Sequence, residues 1–183
     1  MQKESHPRLV SALRIGILIG VIALSIYLFT IPDEQVEKLE AFGYPGIFLI
    51  SILANATILI PAPGVALVFS FGARFNPLWV AIASGAGAAL GELSGYMAGF
   101  SGQAVVERAK IYERFSRWME KNGYLTVMIL AFIPNPLFDL AGMAAGALKM
   151  PVLEFLVWCF LGKLLKMALF AYAGSAGWDW LMG

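Results

Sequence analysis

Two apolar stretches of this chain are broken by proline pairs. AFIPNPLFDLAG, residues 131–142, sets Pro134, Asn135, Pro136 and Asp139 in apolar surroundings, and ILIPAPGVALV, residues 58–68, carries Pro61 and Pro63. Proline has no backbone N–H and its ring clashes with the carbonyl four residues back, so neither stretch continues as one helix. The surroundings should be hydrocarbon, because the chain is 60% hydrophobic and 14% charged with a mean hydropathy of +0.76. Soluble domains run about 45–50% apolar and about 25% charged. Broken backbone at membrane depth persists only where protein or a water-filled cavity satisfies it. The two breaks are therefore expected to face each other and line such a cavity. Loops at the membrane surface are the plainer alternative.

The same composition excludes several functions. A net charge of +1 gives no bulk attraction for nucleic acid. The single histidine, His6, and the single cysteine, Cys159, rule out a His-rich metal site, a histidine triad and an internal disulfide. Cys159 sits in an apolar run and is expected to be a packing thiol. No phosphate-cradling glycine loop with its lysine occurs. Neither an enzyme nor a protein with a bound cofactor is expected.

Residues 1–32 read as an N-terminal anchor. Leu13 to Ile31 is long enough to span a bilayer and ends without a small-residue cleavage site. After Pro32 a short acidic helix is expected from Asp33. Residues 33–183 read as one membrane domain whose parts recur. Repeat one spans 43–100, an amphipathic linker 101–122, and repeat two 123–174. Gly43-Tyr44 and Gly123-Tyr124 open the copies, and each then has an apolar arm, a Pro-x-Pro, a second arm and a long helix. Gly72-Ala73…Pro77 matches Gly146-Ala147…Pro151 at identical spacing. From Pro63 to Pro77 is 14 residues, and from Pro136 to Pro151 is 15.

An arm, a break and a second arm enter and leave on one side, so each copy crosses the membrane once, through 78–100 or 152–173. The expected fold is an all-α integral membrane protein built as an inverted repeat. Each copy is a proline-broken re-entrant hairpin plus one transmembrane helix, and the N-terminal helix is additional. Lys3, Arg8, Arg14, Arg108, Lys110, Arg114, Arg117, Lys121 and Lys149 fall on one side, against Lys38 and Arg74 on the other. The positive-inside rule makes that richer side cytoplasmic. Inverted repeats with broken membrane segments belong to many transporters, with the site where the breaks meet.

Charges inside the long helices are functional candidates, because their cost requires a reason. Glu92 lies near the middle of 78–100, and Lys163 and Lys166 near the middle of 152–173. Inversion and helical rise bring Lys163 within about 5 Å of Glu92 in depth, so Glu92–Lys163 is the preferred contact. The pair either fixes packing or meets substrate. Asp139 and Asn135 either cap the helix after the break or line the path. Gly87, Gly91, Gly95 and Gly99 form a small-residue stripe; packing within the chain is preferred, and a homo-oligomer is the alternative. In the linker, seven of the eight charges of 103–121 share an arc of about 140°. Arg108 falls in its apolar arc, where, like Arg74 opposite, it is a weak candidate for headgroup contact.

IPNPLFDLAG with FLGKLLKM downstream and ALGELSGYMAG upstream resembles the VTT domain of the vacuole membrane protein family, within the DedA superfamily, over roughly residues 45–174. The chain departs from DedA proteins at Val65, where they typically carry a glutamate, and at Asn135 and Asp139, where they carry an arginine motif. The resemblance implies lipid movement between leaflets: passive scrambling of phospholipids or polyprenyl-phosphate lipids, in a multi-pass protein of the plasma (inner) membrane if prokaryotic. A polar groove between re-entrant tips would pass the headgroup while acyl chains stay in lipid. An ion- or proton-coupled small-solute transporter and a non-transporting scaffold are the other classes.

The topology can be checked by labelling cysteines introduced at positions 38 and 117 in intact membranes. They are expected on opposite faces, and labelling from the same face would overturn the assignment.

Overall fold

The computed structural model describes residues 16, 19, 23, 26, 27, 33–56, 64–101, 109–133 and 138–182. Seven helices account for nearly all of them: α1 Asp33–Ala56, α2 Gly64–Gly72, α3 Pro77–Gly91, α4 Leu93–Phe100, α5 Ala109–Phe132, α6 Phe138–Ala147 and α7 Val152–Met182. Among the described residues of the expected N-terminal transmembrane helix, 16, 19, 23, 26 and 27 are helical and exposed. The remainder of that helix, and the stretches 57–63, 102–108 and 134–137, lie outside the described residues.

Two expected boundaries move. The acidic helix from Asp33 does not end before the first apolar arm but runs into it as one helix of 24 residues through Pro45. Proline fits the helical φ but forfeits its own N–H bond, here the one to Ala41, and its ring crowds that carbonyl, so the close packing of α1 on Gly87 and Gly91 of α3 is what carries the helix on. The linker and the second arm are likewise joined in α5, also of 24 residues, with a bend at Asn122, where φ is −152° and ψ 64°. Thr126 Oγ1 donates to the Asn122 carbonyl at 2.9 Å, satisfying an acceptor at the bend.

The long segment 78–100 is divided into α3 and α4 at Glu92, which itself has helical φ −66° and ψ −13°. Glu92 N–H bonds the Ala88 carbonyl at 3.2 Å and Tyr96 N–H bonds the Glu92 carbonyl at 3.1 Å, so the ladder passes through the division. Asn76 starts this segment by accepting from the N–H groups of Leu78 and Trp79, with Pro77 at the first helical position. Together, 77–100 extend about 36 Å at 1.5 Å per residue. No single helix among the described residues is long and apolar enough to cross a membrane. α7 has the length, at 31 residues, but Glu154, Lys163, Lys166 and Asp179 interrupt its apolar character.

Contacts order these helices between two ends of a bundle. At one end Tyr44 meets Phe75 edge-on, with ring centroids 6.1 Å apart. There Gly72 lies against Ala171, Gly174 against Phe69, and Arg74 over the Trp178 ring at 4.5 Å. At the other end Gly99 lies against Met143, Gly146 against Tyr96, and the Tyr96 hydroxyl donates to the Met150 carbonyl at 2.5 Å. Tyr124 stacks on Trp158 near that end, with centroids 6.0 Å apart. The 77–100 segment and α7 therefore run antiparallel, crossing where Gly85 meets Leu164. α1 and α2 leave and return to the first end; α5, after its bend, and α6 do so at the second.

The glycines explain the close approaches. A methyl on Gly87 would overlap the Phe48 carbonyl, and one on Gly91 the Ile52 carbonyl, so these two admit α1. Gly99 admits α6 instead. Gly95 is buried in α4. The stripe thus serves packing within the chain, divided between two partners. Gly162 does for α5 what Gly87 does for α1: a methyl there would overlap the Met128 carbonyl.

Burial is arranged so that charge lies inside and apolar side chains outside. Along α7, Leu153, Val157, Leu161, Leu165, Leu169 and Tyr172 are exposed, while Phe155, Cys159, Lys163, Lys166, Met167 and Ala171 are buried. Large exposed apolar faces of this extent are costly in water, and hydrocarbon is the exterior that suits them. One core cluster, with Tyr96, Phe138, Phe155 and Cys159, fills the second end. Another, with Ile47, Phe71, Val80 and Met167, fills the first.

Gly99→Ala and Gly174→Ala are each expected to lower stability by about 1–3 kcal/mol, since backbone must move to admit the methyl. Gly46→Ala, with open space around its Cα and a helical backbone, should be neutral or stabilising by up to about 1 kcal/mol. Thermal unfolding of the three purified variants checks both directions.

Candidate functional site

Between the two core clusters lies a layer of charge. The interior of the described chain holds one buried acid, Glu92, and two buried bases, Lys163 and Lys166. Glu92 sits at the α3–α4 division and the lysines one turn apart on the inner face of α7. Lys163 Nζ donates to Glu92 Oε1 at 2.5 Å, and the two side chains are 3% and 4% exposed. The contact preferred from helical rise, Lys163 rather than Lys166, is the one formed.

Two further groups hold the Lys163 ammonium. It donates to Asn55 Oδ1 at 2.9 Å, and it stands 4.7 Å from the centroid of the Phe138 ring. Asn55 is itself oriented by donating from Nδ2 to the Ser51 carbonyl at 2.9 Å, one turn back in α1. A buried ammonium needs several acceptors to offset its lost hydration, and carboxylate, amide and ring face supply them here.

The positions of these groups connect them to the breaks. Asn55 is at the end of α1, six residues before Pro61, and Phe138 opens α6, two residues after Pro136. α1 and α6 thus reach the same ammonium from opposite ends of the bundle. Beside it, a crevice bounded by Ser51, Ala54, Asn55, Gly64, Leu67 and Met167 has room for about one water molecule.

The remaining expected site residues are more scattered. Pro61, Pro63, Pro134, Asn135, Pro136 and Arg108 lie outside the described residues. Asp139 is in the first turn of α6, and its side chain is not among those described. Arg74 is held at the first end over Trp178, away from the central charges. Asn55 was missed, although the signal was present: it is the one amide in the apolar arm 46–60, just ahead of a proline break. Phe138 gave no signal, because one phenylalanine among 13 is not distinguished by sequence.

Breaking a buried ion pair strands one charge, at a cost of about 3–5 kcal/mol, whereas removing both partners is far cheaper. Glu92→Gln and Lys163→Met are each expected to lower thermal stability, with the double variant recovering much of the loss. Asn55→Ala should cost about 1 kcal/mol. Additive losses for Glu92 and Lys163 in the double-mutant cycle would show that the two act independently.

Comparisons with known proteins bear on the same segment. The VTT domain family matches residues 60–176, well over half of the chain. Vacuole membrane protein KMS2 of Arabidopsis thaliana is 35% identical over 102 residues, covering 45% of this chain and 24% of that protein. Vacuole membrane protein KMS1 of the same plant is 34% identical over 105 residues, covering 45% and 25%. Vacuole membrane protein 1 homolog of Dictyostelium discoideum is 29% identical over 111 residues, covering 46% and 28%. The chain thus spans about a quarter of the length of these curated relatives. No solved structure matches it. With α2 through most of α7 inside the matched region, and both buried lysines and Glu92 with them, the chain belongs to the VTT domain family of the DedA superfamily.

Proposed function

We propose that this chain is a multi-pass membrane protein that moves lipid headgroups between leaflets, passively and in both directions. The observation that carries the reading is the buried Lys163–Glu92–Asn55 cluster, which both proline-broken hairpins approach inside a bundle with an apolar exterior. In hydrocarbon such a cluster gives a polar headgroup comparable polarity at mid-depth. The acyl chains need no such place, since they remain against the outward leucines of α7.

The architecture behind this reading is an inverted repeat. Each copy contributes a re-entrant hairpin, α1–α2 or the arm of α5 with α6, and one crossing, 77–100 or α7. Antiparallel crossings, and hairpins entering from opposite ends, are what inversion requires. Related glycines support it. Gly72 of copy one packs on α7 of copy two near Gly174, and Gly146 of copy two packs on α4 of copy one near Gly99. Each short helix therefore rests on the long helix of the other copy. Small relative shifts of the copies would open a groove at the tips without exposing either core.

The test is reconstitution of the purified protein alone in phosphatidylcholine vesicles, with exchange of a fluorescent phospholipid as the readout. Exchange well above that of empty vesicles is expected, and Asp139→Ala should slow it while leaving folded protein in the membrane. Were Asp139 only a helix cap, exchange would be normal and stability about 1 kcal/mol lower. No exchange by the wild-type protein would reject lipid movement in favour of a scaffold. Solute flux that follows an imposed pH gradient would instead favour a coupled transporter.

A further inference from the structure

Near the second end of the bundle, Glu154 leaves a carboxylate oxygen unanswered. Its Oε2 is buried without a hydrogen-bond partner, and the residue forms no ion pair among the described residues. Glu154 stands in the first turn of α7, where an acid meets the positive end of the helix dipole. That position accounts for an acid there. It does not account for an oxygen shut away from every donor, which costs free energy wherever it occurs. Lys163 answers the charge of Glu92, but no basic side chain among the described residues answers that of Glu154.

Two aromatic rings share its neighbourhood. Trp158 is four residues on, one turn along the same face of α7. Tyr124, from α5 beyond its bend, stacks on Trp158 with centroids 6.0 Å apart and planes 23° from parallel. The Tyr124 hydroxyl lies beside the Glu154 carboxylate, which acts on it by hydrogen bonding and by charge. Tyr124 is 45% exposed, and Trp158 and Glu154 are half-buried, so the group is reachable from outside. Ring faces carry negative potential and a carboxylate a full negative charge, and an organic ammonium suits both. The surroundings say which kind of ammonium. Leu125 beside Tyr124, and Leu153 and Val157 on α7, are exposed apolar side chains along which acyl chains can lie. Tyrosine and tryptophan are themselves the residues that favour headgroup level. These neighbours fit a lipid better than a free amine.

We infer that Glu154, Tyr124 and Trp158 form a site for the ammonium group of a membrane phospholipid, choline or ethanolamine, at the second end of the bundle. The ammonium meets the aromatic pair and compensates a carboxylate that the fold leaves without a cation. The site is separate from the Lys163–Glu92 layer, because Glu154 precedes Lys163 by nine residues of one helix, about 13.5 Å at 1.5 Å per residue. It goes beyond the lipid-moving reading and does not depend on it, since a lipid can be held at the rim of the bundle without crossing. Free choline offers the same ammonium, so the two sources are separated by experiment.

The experiment uses the full chain in detergent, as wild type, Glu154→Gln, Tyr124→Leu and Tyr124→Phe. Thermal unfolding is followed against the concentration of dihexanoyl phosphatidylcholine, of dihexanoyl phosphatidylglycerol and of free choline. Phosphatidylglycerol keeps the phosphate and the chains but lacks the ammonium. Phosphatidylcholine is expected to stabilise wild type, and phosphatidylglycerol to do so only weakly. Glu154→Gln keeps the shape of the side chain without its charge. It should raise the phosphatidylcholine concentration for half the effect roughly tenfold, the loss of about one charged contact. Tyr124→Leu, at an exposed position, should raise it roughly fivefold, whereas Tyr124→Phe, which keeps the ring, should stay within about twofold of wild type. A purely structural Glu154 would lower the melting temperature of Glu154→Gln and leave its response to lipid intact, and that result overturns the inference. Equal stabilisation of wild type by the two lipids also overturns it. So does an unchanged response in Tyr124→Leu, which decides the matter if Glu154→Gln does not fold. Stabilisation by free choline equal to that by phosphatidylcholine rejects the lipid as the occupant.

Discussion

An ammonium held against a carboxylate inside an apolar bundle constrains everything around it. Lys163 and Glu92 come from antiparallel segments, 77–100 and α7, and their pairing at 2.5 Å fixes the depth at which those segments cross. Shifting either helix by one turn would part Lys163 from Glu92 and Asn55, and a buried charge left without its partner costs several kcal/mol. The third partner, Asn55, ties α1 to the same depth, and the Phe138 ring faces it from α6. One charged pair thus sets the register of four elements, and the apolar clusters on either side pack where that register puts them.

Glycine makes this register attainable. Ion pairs and amide hydrogen bonds need their helices within a few ångströms, and side chains at Gly85, Gly87, Gly91 or Gly162 would hold the backbones apart. Close approach also lets α2 rest on α7 and α6 on α4. The bond from the Tyr96 hydroxyl to the Met150 carbonyl anchors the loop after α6 to the segment that receives it.

Much of this was legible in the chain. The apolar composition pointed to an all-helical chain, and helices account for nearly all of the described residues. The depth of Glu92 and Lys163 followed from helical rise alone, because a straight helix converts residue number into distance. Helix ends were less legible. The acidic segment from Asp33 and the arm after Gly43 read as separate, since Gly43 and Pro45 are ordinary helix stops, yet packing against α3 carries one helix through both. Asn55 had a signal in its amide, but its partner could not be read, because the arm that bears it folds back beside a helix whose contact face depends on glycine packing.

Sequence by itself determined that charge would be buried, because Glu92, Lys163 and Lys166 fall in the middle of long apolar segments. It also determined which residues could approach closely, because only glycine lacks the Cβ that keeps helices apart. Only the tertiary structure decided how the buried charges were shared. Two lysines one turn apart on α7 are chemically equivalent in the chain. Lys163 faces the end of α1, the start of α6 and Glu92, so it is satisfied. Lys166, one turn on, is buried beside them but forms no ion pair among the described residues. That difference is a matter of which neighbour three other helices bring to each ammonium, and no local pattern encodes it.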